Sequence, residues 1–369
     1  MIKTLSENGE NYLTREKSVI ILHTCAKTCE EKALKTYPTI KDIAAKLNLH
    51  YTTVSRALRD HPDVNEETKR LVKETAQQMN YRPNYLARSL KRQKSNSIGV
   101  IVPEIKHHFF SAVISGIEEV AYEAGYVILV AQSNEQMERE ILNLNAFISS
   151  HVSGLLVSIS QTTTSSDHFK KFMEQDGKIV FFDRVCEDLE ASKVVVDDYD
   201  GAYKATEYLI KKGYKRIGHL AGSKNLNIAR NRYLGYKDAL KNNGLTPNEA
   251  YVYWGGLQEQ DGRNGMKALL ELTERPDAIF AVNDPVAIGA YDVLKQKGLK
   301  IPDDMGIVGF SNNPISSFVH PPLTTVHQPA YEMGKKAAEL LLQQIDSQVE
   351  EVSLVKEVLK TRLIVRESA

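Results

Sequence analysis

The chain has 369 residues and carries 47 Lys and Arg against 47 Asp and Glu, so its formal net charge at pH 7 is zero. Its length exceeds that of one small domain. Three cysteines are too few for a disulfide framework, and no apolar run approaches the ~20 residues of a membrane helix. We therefore expect a cytoplasmic, multidomain protein with no cofactor and no membrane partner.

The first 38 residues form an N-terminal extension that fits none of the patterns found later. Its short apolar run, Val-Ile-Ile-Leu, is interrupted by flanking charges and is not a convincing export signal. Cys25 and Cys29 lie near His23, but no second ligand pair is visible and we predict no metal site. Disorder, a misplaced start and a small contact element are all open interpretations, and we assign the extension no function.

The next stretch, residues 39–58, predicts two short helices joined by a tight turn. Thr39 and Asp42 have the spacing of a capping pair, and apolar residues then recur at helical spacing as far as Leu47. Asn48 suits a left-handed stop. A second helix is expected from about Tyr51 to Leu58, and a third follows a cap at Asn65 or Thr68.

The second of these helices has a polar outer face, made of Tyr51, Thr52, Thr53, Ser55 and Arg56. Residues 39–97 carry 12 Lys and Arg against six Asp and Glu, although the whole chain is neutral. A basic patch of this kind releases counterions from DNA and supplies sequence-independent affinity. A generic helical bundle would share the spacing, but the concentrated charge favours a DNA-binding domain.

Three motifs carry a resemblance to a known family. Thr-Val-Ser-Arg-Ala-Leu at 53–58, Val-Asn-Glu-Glu-Thr at 64–68 and Asn-Tyr-Arg-Pro-Asn at 80–84 occur in this order. Together they resemble the N-terminal domain of the LacI/GalR (lac repressor) family, and the resemblance continues to about Glu367. It implies a helix-turn-helix DNA-binding domain over residues 39–83.

The resemblance also implies roles for individual residues of this domain. Tyr51, Thr52 and Arg56 would read bases in the major groove, and the Arg56 fork suits a guanine. Thr53 and Ser55 would contact phosphates, which position the helix without specifying sequence. Thr39 joins this DNA-binding set.

Residues 84–97 are predicted to be a hinge helix and linker. Tyr85–Leu90 spans only about two helical turns and should be largely unfolded in isolation. A solvated basic linker is the alternative. The resemblance implies a hinge that folds when two copies meet on DNA, with Leu90 wedged into the minor groove and Asn84 and Ala87 also in contact.

From residue 98 to residue 369 apolar strands alternate with amphipathic helices. This α/β pattern is typical of parallel sheets covered by helices. One series begins near Ile98 and a second near Arg216, which predicts two lobes, and the resemblance implies the two-lobed type I periplasmic-binding-protein-like fold. The segment 321–326 fits one of the crossovers between lobes. We expect residues 98–369 to bind an effector and to form a dimer.

Ligands in such folds lie between the lobes, at the carboxyl ends of strands. Side chains that follow predicted strand ends, or that the resemblance places at ligand-contact positions, are Phe110, Asp183, Asn227, Arg230, Trp254, Asp284 and Gln328. Planar polar groups can bond neighbouring hydroxyls and an aromatic ring can stack on a sugar. The expected effector is therefore a sugar or sugar derivative, with a purine or a partner protein as the alternative.

Several of these side chains also have a purely structural interpretation. Phe110 could belong to the core, Asp183 could form an ion pair with Arg184, and Trp254 could be a packing residue or an exposed loop ring. These alternatives stay open at the level of sequence.

Catalysis is not expected. The chain lacks a P-loop, a nucleophile elbow and any zinc-ligand spacing. Asp183, Asp197, Asp198 and Asp284 could be imagined as a glycosidase pair, but nothing sets their separation. A transporter's solute-binding protein would share the two lobes, yet it would need an export signal and no DNA-binding domain. The sequence predicts a homodimeric repressor that binds a pseudo-palindromic operator and a small-molecule effector.

Overall fold

The computed structural model describes residues 38–81, 95–346 and 353–369. The chain divides into two compact units, residues 1–88 and 89–369. Predictions for the N-terminal extension and for Asn84, Ala87 and Leu90 fall outside the described residues.

The first unit contains helices α1 (Ile40–Leu47), α2 (Tyr51–Ala57) and α3 (Glu66–Gln78). The Asp42 carboxylate accepts from the backbone N–H of Thr39 at 2.6 Å and from its hydroxyl at 2.8 Å, which fixes the start of α1. Asn48 ends α1 in the left-handed conformation, with φ 52°. Asn65 caps α3 by accepting from the N–H of Thr68 at 2.7 Å.

The three helices share one small core. Ile43, Val54, Ala57 and Val72 are fully buried in it, while Leu58 is only half-buried. The predicted helix order and stop residues of this unit are confirmed, except that α2 ends at Ala57 and Leu58 is its C-cap.

The second unit contains two six-stranded sheets, one for each lobe. In lobe 1 all paired strands are parallel, in the order β11-β5-β4-β3-β1-β2. These strands are β1 (Ser97–Val102), β2 (Val127–Gln132), β3 (Gly154–Val157), β4 (Ile179–Phe182), β5 (Ser192–Val196) and β11 (Lys356–Leu359). The helices of this lobe are α4 (His108–Glu123), α5 (Met137–Ser149), α6 (Asp167–Glu174) and α11 (Ala330–Asp346).

In lobe 2 the order is β12-β10-β9-β8-β6-β7, and only β12 runs antiparallel to its neighbour. The strands are β6 (Ile217–Ala221), β7 (Val252–Trp254), β8 (Ala278–Ala281), β9 (Gly306–Ser311), β10 (Thr324–His327) and β12 (Arg362–Ile364). The helices are α7 (Asp198–Lys211), α8 (Asn227–Asn242), α9 (Glu259–Leu270) and α10 (Asp284–Gln296), with 3₁₀ turns at Glu249–Tyr251 and Pro314–Ser317.

The chain crosses between the lobes three times: from β5 to α7, from β10 to α11 and from β11 to β12. The predicted crossover at residues 321–326 is wrong by a few residues. Thr324–His327 pairs in register with β9, so the crossing comes at Gln328 and Pro329. The two-lobed α/β fold with parallel sheets is as expected.

Helices α4 and α11 of lobe 1 pack closely, with backbone against backbone. A Cβ added to Gly116 would lie 2.1 Å from the carbonyl oxygen of Tyr331, and one added to Gly334 would lie 2.0 Å from that of Val113. Each glycine therefore admits the backbone of the other helix. This contact sets the first two turns of α11, which follow the crossover at Gln328, against the middle of α4.

Candidate DNA-binding helix and effector cleft

Helix α2 presents an apolar face to the core and a polar face to solvent. Tyr51, Thr52 and Arg56 are exposed, and Thr53 and Ser55 are half-buried beside them. The nearest carboxylate to the Arg56 guanidinium belongs to Asp63, at 3.8 Å. Surface pairs of this kind contribute little, so Arg56 can exchange this partner for a base edge.

Neighbouring side chains already orient part of this face. His50 Nδ1 lies 2.7 Å from the Thr52 hydroxyl. Arg59 Nε donates to the Ser55 carbonyl oxygen at 3.0 Å, and its Nη2 donates to the Ser55 hydroxyl. Arg59 was not singled out from the sequence, although its i,i+4 spacing from Ser55 allows this contact. It places a second guanidinium beside the recognition face.

The second candidate site is a cleft between the lobes of the second unit. Strand ends and helix starts from both lobes line it, and among the predicted effector residues Phe110, Asp183 and Gln328 do so. Asn227, Arg230, Trp254 and Asp284 do not line this cleft. The structure instead brings Arg184, Arg232, Leu257, Asn283, Ser311 and Asn313 to its walls.

On the lobe 1 wall, Asp183 and Arg184 form a charged pair beside an aromatic ring. Arg184 Nη1 donates to both carboxylate oxygens of Glu135, at 2.9 and 2.8 Å, and the guanidinium lies 5.5 Å from the centre of the Phe110 ring. Asp183 adopts φ 58°, a left-handed conformation that non-glycine residues rarely use. Burial raises the pKa of its carboxyl, and the neighbouring Arg184 opposes that rise.

Two buried donors that line the cleft have no partner within the described residues. They are Gln328 Nε2 and Arg184 Nε, which lies 3.8 Å from Asp183 Oδ2, too far for a hydrogen bond. Leaving a buried N–H unpaired costs about 1 to 3 kcal/mol. The cleft is therefore suited to a ligand that presents hydrogen-bond acceptors.

Asn227 and Arg230 connect the lobes instead of lining the cleft. The Asn227 amide donates to the carbonyl oxygen of Asp183 at 3.2 Å and accepts from the N–H of Val185 at 3.1 Å. Arg230 donates to the Glu187 carboxylate. Because Asp183, Val185 and Glu187 follow β4 of lobe 1, the start of α8 holds the two lobes together.

Arg232, two residues beyond Arg230, is the α8 arginine that lines the cleft. Its Nε and Nη2 contact Asp198 Oδ1 at 2.8 and 2.7 Å, and its Nη1 donates to the Val282 carbonyl oxygen at 2.6 Å. Its guanidinium also lies 3.8 Å from the centre of the Phe310 ring. The sequence did carry a signal for it, because Ile228, Arg232 and the buried Tyr236 and Ala239 share one helical face.

Asp284 lies outside the cleft but holds part of the cleft wall in place through hydrogen bonds. Its buried carboxylate accepts from the Thr325 hydroxyl, the Ser316 hydroxyl and the N–H of Asn313, at 2.6, 2.7 and 2.6 Å. Burial raises its pKa to about 6, while these three donors lower it. Asp284 thus anchors the turn at Ser311–Asn313, where Ser311 has φ 119°.

The predicted role of Trp254 also changes. Its ring packs in lobe 2, 5.0 Å from that of Tyr233, and the Lys224 ammonium group lies 4.9 Å from its centre. The cleft position near this segment is taken by Leu257. The space left in the cleft is about 50 Å³. Small-molecule sites usually enclose about 300 to 1,000 Å³, so a sugar-sized ligand can enter only if the lobes part or cleft side chains move.

Comparisons with known proteins agree with this architecture. The family described as bacterial regulatory proteins of the lacI family matches residues 39–84, and a periplasmic binding protein-like domain matches residues 206–369. The HTH-type transcriptional repressor CytR of Escherichia coli (strain K12) is 35% identical over 320 residues, which are 86% of this chain and 92% of CytR. The chain belongs to the LacI family of bacterial regulatory proteins.

Two further similar proteins bear on the chemical class of the effector. The HTH-type transcriptional repressor PurR of Haemophilus influenzae (strain PittEE) is 35% identical over 89% of this chain and 98% of its own length. The solved complex of the transcriptional regulator CelR with cellobiose has a TM-score of 0.70 and 27% identity, and covers 90% of this chain and 100% of CelR.

Membership in the LacI family establishes the general function of the chain. The chain is a DNA-binding transcriptional repressor with an effector-binding domain, and LacI-family repressors regulate transcription without catalysing a reaction. The predicted family, fold and non-enzymatic role are confirmed. Among residues 38–81, 95–346 and 353–369, no helix combines the length and apolar character of a membrane span, and no acidic, His and Cys side chains cluster as a metal site.

Proposed function

We propose that this LacI-family repressor responds to a sugar or a sugar-bearing compound held between Phe110, Asp183, Arg184, Arg232 and Gln328. The observation that carries the proposal is the pair of buried donors without a hydrogen-bond partner, Arg184 Nε and Gln328 Nε2, on residues that line the cleft together with Asp183. Hydroxyl groups satisfy both kinds of partner, because each can accept from a donor and donate to a carboxylate. The Phe110 ring adds an apolar surface.

A purine is the second candidate, because one relative is a repressor named PurR. A thermal-shift screen of the full chain against sugars, nucleosides and free purines tests both, since ligands that bind the native state raise its stability. We expect a sugar-bearing compound to stabilise the wild type and not Asp183→Asn. Stabilisation by free purines alone would contradict the sugar assignment.

The DNA-binding proposal assigns base contacts to Tyr51, Thr52 and Arg56 and phosphate contacts to Thr53 and Ser55, and it includes Thr39 among the DNA-binding residues. Arg56→Ala should weaken binding to an operator selected from random DNA by about 1 to 3 kcal/mol, because one bidentate base contact is lost. Fluorescence anisotropy measures this loss. Arg70→Ala, an exposed arginine on α3, is the control and should leave the ratio of specific to non-specific affinity unchanged. Equal effects of both variants would refute the base contact.

The hinge proposal covers Asn84, Ala87 and Leu90 and rests on the family resemblance alone. Operator binding requires access to the chromosome, so the proposed location is the cytoplasm.

Homodimerisation is proposed from an apolar edge on lobe 1. Strand β2 ends the sheet, and its Val127 is 64% exposed; Tyr122 near the end of α4, which precedes β2, is 76% exposed. Exposed apolar edges mark interaction surfaces, and a second copy of this chain matches the two-fold symmetry of a palindromic operator. Light scattering should give the mass of two chains, and a Tyr122→Glu variant should shift it toward one. A wild-type mass of one chain would contradict the dimer.

A further inference from the structure

One carboxylate joins the two lobes at the cleft. Glu104 lies between β1 and α4 of lobe 1, and Gln258 is the N-cap residue of α9 in lobe 2. Gln258 Nε2 donates to Glu104 Oε2 at 2.8 Å, and His107 Nε2 lies 2.7 Å from the same oxygen. Gln258 and His107 both line the cleft. We refer to Glu104, His107 and Gln258 as the Glu104 bridge.

The Glu104 bridge lies far from the crossovers between the lobes. The crossover segments adjoin β5 and β11 of lobe 1 and β10 and β12 of lobe 2, which are the strands at one edge of each sheet. Glu104 follows β1, next to the opposite edge of its sheet, and Gln258 follows β7, which forms the opposite edge of the other sheet. Rotation of the lobes about the crossovers would therefore separate them most at the bridge.

The volume of the cleft makes this position important. The cleft holds only about 50 Å³, so an effector enters when the lobes part. The interlobe hydrogen bonds of Asn227 reach the segment after β4, in the middle of the lobe 1 sheet. The Glu104 bridge is the contact nearer the open edge, and it must break for the lobes to separate there.

We propose that the Glu104 bridge is a gate, which holds the cleft closed in the ligand-free protein and breaks when an effector enters. Its hydrogen bond to a carboxylate is of the stronger, charge-assisted kind, and the Glu104 side chain is only 16% exposed. Opening exposes both groups to water, which replaces the lost partners. The gate does not depend on whether the effector is a sugar or a purine.

The test measures the distance between the lobes in the full chain without any ligand. Spin labels are attached at Arg139→Cys on α5 and Lys267→Cys on α9, two exposed positions, with Cys25 and Cys29 replaced by serine. Cys186 is buried, and burial raises the pKa of its thiol to about 12, so it does not take a label. Dilution into unlabelled protein keeps the measured distances within one chain. Pulsed electron paramagnetic resonance then gives the open fraction, the share of chains with the longer distance.

Gln258→Glu places two carboxylates at hydrogen-bond distance, where like charges repel. We expect it to raise the open fraction about tenfold or more, because a hydrogen bond to a charged group is lost. Adding Glu104→Gln restores one amide and one carboxylate with their places exchanged. This double variant should return the open fraction to within about twofold of the wild type, which a local effect of either substitution would not do.

Lys106→Ala is the matched control. Lys106 contacts the other oxygen of Glu104 at 3.3 Å but belongs to the same lobe and is 64% exposed, so its loss should leave the open fraction unchanged. Glu104→Ala removes the acceptor and should also open the cleft, which keeps the test decisive if Gln258→Glu fails to fold. A wild type that is already mainly open, a folded Glu104→Ala that stays closed, opening by Lys106→Ala, or a double variant as open as Gln258→Glu would each overturn the gate.

The proposed function is tested separately, because these distances are measured without a ligand.

Discussion

Arg232→Ala is expected to lower the free energy of unfolding of the second unit by about 3 to 5 kcal/mol, the usual result of removing one partner from a buried ion pair. Arg232 is 2% exposed and Asp198, its partner, is also buried. Burial already raises the pKa of Asp198 to about 6 although Arg232 lowers it. Without the guanidinium the carboxylate would stay buried and unpaired, and the Val282 carbonyl oxygen would lose a donor.

Arg230→Ala is a control matched in residue type, helix and position. The Arg230 side chain is 40% exposed and pairs with the exposed Glu187, so its removal should cost no more than about 1 kcal/mol. Urea unfolding followed by circular dichroism measures both variants. Similar losses in the two would show that Arg232 is not the buried anchor of the cleft.

Asp284 is expected to make the stability of the folded protein depend strongly on pH. Burial raises the pKa of this carboxyl from 3.8 to about 6, so between these values the folded protein holds a proton that the unfolded chain has released. The contribution of Asp284 to the stability of the folded protein is therefore complete below about pH 4 and is lost as pH rises through 6. A difference of about two pK units corresponds to about 3 kcal/mol.

Asp284→Asn should remove this dependence. The stability of the wild type minus that of the variant is expected to fall by about 3 kcal/mol between pH 4 and pH 7; Asp183 and Asp198 are present in both proteins and cancel. Asp292→Asn should act with the opposite sign, because hydrogen bonds from Arg263 and Gln296 lower the pKa of that exposed carboxyl and its contribution is lost as pH falls. Parallel pH profiles for wild type and Asp284→Asn would contradict the assignment.

Much of the DNA-binding unit could be predicted because its signals are local. The capping pair at Thr39 and Asp42, the stop at Asn48 and the cap at Asn65 each act within four residues. The order of the helices and the residues at which they end follow from these local signals. Strands such as β1 and β9 were also predictable, since fully buried parallel strands are continuous apolar runs.

The cleft was harder to predict because its residues meet only through tertiary structure. Arg230 and Arg232 are two residues apart on α8 and point to different sides of the helix, and strand-end position alone does not choose between them. Asp284 follows β8 as a ligand-binding residue would, yet its carboxylate is turned inward to three donors. Short strands such as β7 and β11 carry too few residues to show a period and are fixed by pairing with distant partners.

The most direct test of an effector-controlled repressor is the affinity for the selected operator, measured with and without a saturating amount of the compound that stabilises the protein. We expect the compound to change this affinity by about 5- to 150-fold in the wild type, and operator to change the affinity for the compound by the same factor. Asp183→Asn, in which Asn also tolerates the left-handed backbone, should abolish the response while retaining operator binding. An operator affinity that is identical with and without the bound compound would contradict the account.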